Sequence, residues 1–153
     1  MPNKLPLYFT YADVIPGRRF AAGVRMVARV IAEHDGEKYW LNGVNPGAVT
    51  ESGLDINSAA LNLRNALRTI LFGFGAEATD FEDFRAQVIR FFDETDPLTV
   101  AEWNATREAV RSGQVDQPGM ARVTDDPAQV HVDEIQNRAP KPEEYAEQLQ
   151  FAA

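Results

Sequence analysis

The chain has 153 residues, 44% hydrophobic and 10% aromatic, which is enough for one core, so a single domain with room for a tail is the default. It has no cysteine, which excludes disulfide frameworks and cysteine-bound zinc, and carries a net charge of −8. No run approaches the roughly 20 apolar residues that span a bilayer, and the start MPNKLPLYFTYADV has no apolar stretch behind a basic end, so we expect a cytoplasmic protein without export or membrane insertion.

Leu5, Leu7 and Phe9 alternate with Pro6, Tyr8 and Thr10, predicting an N-terminal strand that ends before Pro16-Gly17. A proline near its start suits a sheet edge. The run FAAGVRMVARVIAE at 20–33 puts Val24, Met26, Ala28 and Val30 on one side and Arg25, Val27, Arg29 and Ile31 on the other. That pattern predicts a long strand, although the alanines leave a helix open. Asp35-Gly36 is the strongest turn signal and should join this strand to a second at 38–44 (KYWLNGV) as an antiparallel hairpin. Asn45-Pro46-Gly47 then bends the chain, because proline restricts its predecessor and glycine tolerates positive φ. A short return strand is expected at 48–50 and a loop at 51–53.

A strongly amphipathic helix follows. Ile56, Ala59, Ala60, Leu63, Ala66, Leu67, Ile70, Leu71 and Phe74 recur at helical spacing, and most of the polar residues between them fall elsewhere. Asp55 is the expected N-cap, and Gly73 and Gly75 supply the expected stop.

The segment NPGAVTESGLDINSAALNLRNAL resembles the hallmark of HicB-type antitoxins, with Pro46-Gly47, Val49-Thr50, Gly53, Ile56 and Ala59 at matching positions. Glu33-His34-Asp35-Gly36 followed by Tyr39-Trp40 is similar to that family's first hairpin, and the likeness covers roughly residues 24–74. It implies a partial ribonuclease-H-like fold whose task is to bind and block a small basic RNA-cleaving toxin. Tyr39, Trp40, Pro46, Gly47, Thr50, Gly53, Asp55 and Ala59 are then structural motif residues. One extra residue stands between Thr50 and Gly53, and no helix-turn-helix or ribbon-helix-helix sequence follows, so DNA is not an expected partner.

Beyond the first helix, Thr79-Asp80-Phe81-Glu82 reads as a capping box with Thr79 as the cap. Phe81, Phe84, Val88, Phe91 and Phe92 then form an apolar stripe to about residue 93, read as core or interface. A third helix should begin at Asp96-Pro97 or Thr99 and stop at Gly113. Its thin apolar face of Val100, Trp103 and Val110 suggests packing on the surface or against another copy. Residues 113–153 read as an acidic, proline-punctuated tail. Within it, 121–124 and 130–135 alternate enough for a hairpin or an added edge strand, and 142–151 could form a helical turn or two.

The fold class expected is therefore α+β: a three- to four-stranded antiparallel sheet with one helix packed on it, two more helices and an extended acidic tail. One domain spans 1–112, with a HicB-like core at about 20–75 and a helical extension at 79–112.

Charge is uneven along the chain. Residues 1–75 hold eight basic and six acidic side chains, and residues 76–153 hold seven basic and seventeen acidic. An acidic half favours a basic protein partner over phosphate backbones, although solubility alone would also account for it. Arg18, Arg19, Arg25 and Arg29 form the one concentrated basic group, a candidate contact for a partner or nucleic acid, which pairing with the acidic half would satisfy as well.

Catalytic equipment is sparse. His34 and His131 have no neighbouring ligand pattern, no phosphate-cradling glycine loop or nucleophile elbow occurs, and the pairs Asp80/Asp83 and Asp125/Asp126 suit helix starts and turns. Neither an enzyme nor a cofactor or metal site is expected. The reading is a HicB-like antitoxin that occludes a small basic toxin with its sheet edge and acidic helices. The alternative is a self-associating module with no toxin or DNA partner, and homo-oligomerisation is expected.

Overall fold

In a computed structural model describing residues 4–114, 123 and 126–135, the chain is α+β, with five antiparallel strands and three helices. β1 (Lys4–Pro16) and β2 (Ala21–His34) pair along their whole length, Lys4 opposite Glu33 and Pro16 opposite Ala21. The Gly17 N–H donates to the Phe20 carbonyl at 2.9 Å, closing a tight loop of Arg18-Arg19. Over residues 21–34 the strand is observed and not the helix. Its β-branched residues suit a pleated ribbon with a covered surface on either side.

The far edge of β2 is shared. β3 (Tyr39–Asn45) pairs with it from Arg29 to His34, across the hairpin closed by the Asp35 N–H to the Lys38 carbonyl at 3.1 Å. A register shift between Arg29 and Val30 interrupts that pairing, which ends at Arg29 opposite Asn45, and β5 (Gln129–Ile135) takes the remaining edge from Ala21 to Val27. The fifth strand thus comes from the segment read as a tail, where an edge strand had been one of the alternatives. The other two pieces of that reading, at 121–124 and 142–151, lie outside the described residues apart from Val123. β4 (Thr50–Gly53) pairs with β3, two residues later than the return strand expected at 48–50. The shift has a local cause: Val49 is buried and its carbonyl accepts from the Gly43 N–H at 2.8 Å, so the bend itself occupies the expected strand.

Two helices cover one face of the sheet, where a single helix was expected. α1 (Ile56–Glu77) buries Ala59, Leu63, Leu67 and Leu71, and α2 (Phe81–Asp93) buries Phe84, Val88, Phe91 and Phe92. Both join the even-numbered side chains of β2 from Ala22 to Ala32, with Tyr11, Ile15 and Val132, in one apolar core. Each large aliphatic or aromatic side chain so buried contributes about 1.5–3 kcal/mol.

α1 does not stop at Gly73. It runs to Glu77, and Gly75 is a packing residue, because a Cβ there would lie 2.5 Å from the Pro16 carbonyl oxygen. The capping box of α2 also sits one residue later than expected. Asp80 is the N-cap and accepts from the Asp83 N–H at 2.8 Å, while Asp83 reaches back to the Thr79 N–H at 2.9 Å.

α3 (Pro97–Arg111), capped by Asp96, lies on the opposite face. Trp103 is buried there with Ile31 and Val44 against half-buried Tyr8 and Val100, so these residues of the thin apolar face meet this chain's own sheet. The Lys4 ammonium pairs with the Glu102 carboxylate, tying α3 to the start of β1, and this hydrogen bond raises the lysine's pKa above its ordinary value. Gly113, at φ 77°, follows the helix end.

Candidate functional site

The motif residues hold one local scaffold together. In the β2–β3 turn, Asp35 accepts from the N–H groups of Glu37 and Lys38 at 2.9 and 2.8 Å and from the Trp40 indole Nε1 at 2.8 Å. Those donors, the Lys38 amide foremost, stabilise the charged carboxylate and hold its pKa down to about 2. Tyr39 packs its ring on His34 at 4.5 Å, and the Gly36 N–H donates to His34 Nδ1 at 3.3 Å. His34 is thus part of the turn.

The Asn45-Pro46-Gly47 bend, cis at Pro46, is an internal staple and not a surface feature. The Gly47 N–H donates to the Glu94 carbonyl at 3.0 Å and Asn45 Nδ2 to the Phe92 carbonyl at 3.4 Å, so the bend satisfies carbonyls at the end of α2. Pro46 is buried and Thr50 is exposed.

Asp55 caps α1, accepting from the Ser58 N–H at 2.7 Å, a bond that lowers its pKa. Gly53 abuts that first turn: a Cβ would stand 2.4 Å from the Ala59 nitrogen, and Ala59 is itself fully buried. Small residues at 53 and 59 therefore let β4 approach the helix. Asn62, which carried no signal in the sequence, adds a bond from its Nδ2 to the Ser52 carbonyl at 2.8 Å.

The four arginines do not gather into one patch. Arg18 and Arg19 are exposed at the tip of the β1–β2 loop, with Arg19 at φ 63°, and Arg25 is exposed beside His131 in the register of β2 and β5. Arg29 lies on the same side of β2 as Arg25, about 13 Å further along the strand. It is half-buried, ion-paired with Asp126, bonded to Asn45 Oδ1 at 3.4 Å and stacked 5.8 Å from the Trp103 ring. This arginine is therefore neutralised by the acidic half and serves to seat α3 and the chain entering β5. Tyr8 meets Trp103 edge-on at 5.4 Å in the same cluster.

The acidic pairs are used structurally. Asp80 and Asp83 cap α2, Asp126 holds Arg29, and Asp125 lies outside the described residues. Among the described residues, no group of three or more histidine, cysteine, aspartate or glutamate side chains could hold a metal, and no helix is long and apolar enough to cross a membrane. Glu77, Glu82, Asp93 and Glu94, on α2 and at its ends, are exposed, with Glu82 4.0 Å from Arg85, and among the described residues Glu37, Glu108, Asp133 and Glu134 are exposed elsewhere. No family model, no curated protein and no solved structure matches this chain.

Proposed function

We propose that this protein is a HicB-like antitoxin that binds a small basic RNA-cleaving protein and occludes its RNA-binding face, without catalysis of its own. The supporting observation is the order of elements that carries the resemblance: a hairpin at 21–45, a proline bend, a short strand and a helix capped by Asp55, with Gly53 and Ala59 in contact at the helix start. The exposed acids of α2 and its ends supply the electrostatic complement to a basic partner, with steering that weakens as salt rises.

The test is to look for a small basic protein encoded beside this chain and to co-express the two. The expected result is a stable complex that suppresses RNA cleavage and weakens at least roughly tenfold when Glu82→Lys and Asp93→Lys are combined, through reversed charge at the contact. Absence of complex and of inhibition would refute the reading.

A further inference from the structure

The longest edge strand of the sheet carries an unused row of hydrogen-bonding groups. The Gly17 N–H points toward β2, where it bonds to Phe20, so strict alternation turns the odd-numbered groups of β1 inward and the even-numbered groups outward. Pro6 and Pro16, which have no N–H to give the ladder, are both even-numbered. Tyr8, Thr10 and Ala12 therefore each present an N–H and a C=O on the outer edge, and among the described residues no strand and no other backbone group pairs with them. The two sides of this edge differ. Toward α1 stand half-buried Leu5, Leu7 and Phe9, then Tyr11 and Asp13, with Arg68 3.7 Å from Asp13 and Arg64 one turn before it on the helix. On the other side, Thr10 is exposed.

A strand that fits this edge is apolar at alternate positions on the α1 side, carries an acid where the arginines are, and is polar on the other side. Residues 144–151, which lie outside the described residues, read EYAEQLQF. Tyr145, Glu147, Leu149 and Phe151 alternate with Glu144, Ala146, Gln148 and Gln150, and no proline or glycine interrupts them. We infer that this segment of the chain pairs antiparallel with the outer edge of β1 as a further strand of the sheet. Gln148 then lies opposite Thr10, Ala146 opposite Ala12 and Gln150 opposite Tyr8, and each pair exchanges an N–H and a C=O both ways.

Side chains select the register. Toward α1, Phe151 meets Leu7 and Leu149 meets Phe9, extending the half-buried apolar rim, while Glu147 opposite Tyr11 faces the helix where Arg64 and Arg68 are exposed. A slip of two residues in either direction sets Glu143 or Glu147 directly against Asp13. The path is short enough. β5 ends at Ile135 beside Ala21, and Ala21 faces Pro16, so the chain leaves the sheet at the end where β1 finishes and reverses to run antiparallel to it. The outer edge lies about 14 Å away, three strand spacings. Residues 136–143, with Pro140 and Pro142, can bridge up to roughly 30 Å when extended. Tethering gives the segment an effective concentration on the order of millimolar, which favours it over an equally matched strand from another chain. The edge is then closed to foreign strands. The inference stands apart from the toxin reading, which is tested on α2.

Disulfide trapping in the full-length chain tests it, since the sequence has no cysteine to interfere. Thr10→Cys combined with Gln148→Cys should cross-link within one chain under mild oxidation, because residues paired in this way lie about 5.5 Å apart at Cα. Thr10→Cys combined with Leu149→Cys puts the two thiols on opposite faces and should cross-link at least roughly tenfold more slowly. Thr10 is exposed, so these variants should keep the wild-type circular dichroism. In the wild-type chain, amide exchange at Tyr8, Thr10 and Ala12 should be slow at every protein concentration. Gln148→Pro, which takes a donor from the added strand, should speed that exchange at least roughly tenfold while β2 stays protected. Absence of a cross-link within the chain overturns the inference, as does equal cross-linking of the two pairs or cross-linking only between chains. So does fast exchange at the three amides in the wild type, and so does protection that Gln148→Pro leaves intact.

Discussion

The two faces of the sheet are built from the same strand to different ends. On one face, the even-numbered residues of β2 from Ala22 to Ala32 are all buried, and α1 and α2 close over them in one core. On the other, β2 changes character half-way. Ile31 lies under Trp103 of α3, Arg29 is shared between that cluster and Asp126, and Arg25 is left exposed beside His131. The first face holds the fold together, whereas the second docks one helix and leaves Arg25 exposed. A strand with one uniformly apolar side and one mixed side can serve both uses.

Substitutions that separate the faces should differ in size and in reach. Phe84→Ala removes a fully buried ring from the larger core and should lower unfolding free energy by about 4 kcal/mol in urea denaturation. Trp103→Ala should cost about 3 kcal/mol, with amide protection lost in α3 but retained in β2; equal loss in both would mean that the faces fold as one unit. Within α1, Gly75→Ala forces a methyl against the Pro16 carbonyl and should destabilise by about 2 kcal/mol. Gly73→Ala, with nothing within 4 Å, should instead raise stability by about 0.7 kcal/mol, seen as a higher melting temperature.

The smallest expected effect is a local pH dependence. Because the folded-state pKa of Asp35 lies below its unfolded value, its contribution is present above pH 4 or so and fades as pH falls through about 2. The Trp40 indole N–H resonance should titrate with a midpoint near 2 in the wild-type chain and not in Asp35→Asn.

Much of the architecture was legible because periodicity and capping are local. The alternation at 20–33, the Asp35-Gly36 turn, the Asp55 cap and the phenylalanine stripe each identify an element from its own residues. Apart from the local offsets at β4 and at the α2 cap, what failed depended on a distant partner. Gly73 and Gly75 look alike in sequence as helix stops, yet one faces open space and the other fits against Pro16, and only the fold distinguishes them. The side taken by α3 was not in its own thin stripe. The available signal was Ile31, an apolar residue on the arginine side of β2 that needed a cover. Val130 and Val132 announced a strand, but not that β3 would leave a space for it on β2. At the start of α2, adjacent Thr-Asp and Glu-Asp pairs offered two overlapping boxes, and carboxylates at both positions won over the threonine with glutamate.

The division of one edge of β2 between β3 and β5 has a consequence for how the chain is made. Residues 21–27 leave the ribosome more than a hundred positions before residues 129–135, which complete their ladder. Until then that stretch must wait with its backbone groups satisfied by water or by whatever strand it meets. The native sheet therefore has a late, long-range closing step, and slow synthesis of the last third of the chain would prolong exposure of its central strand.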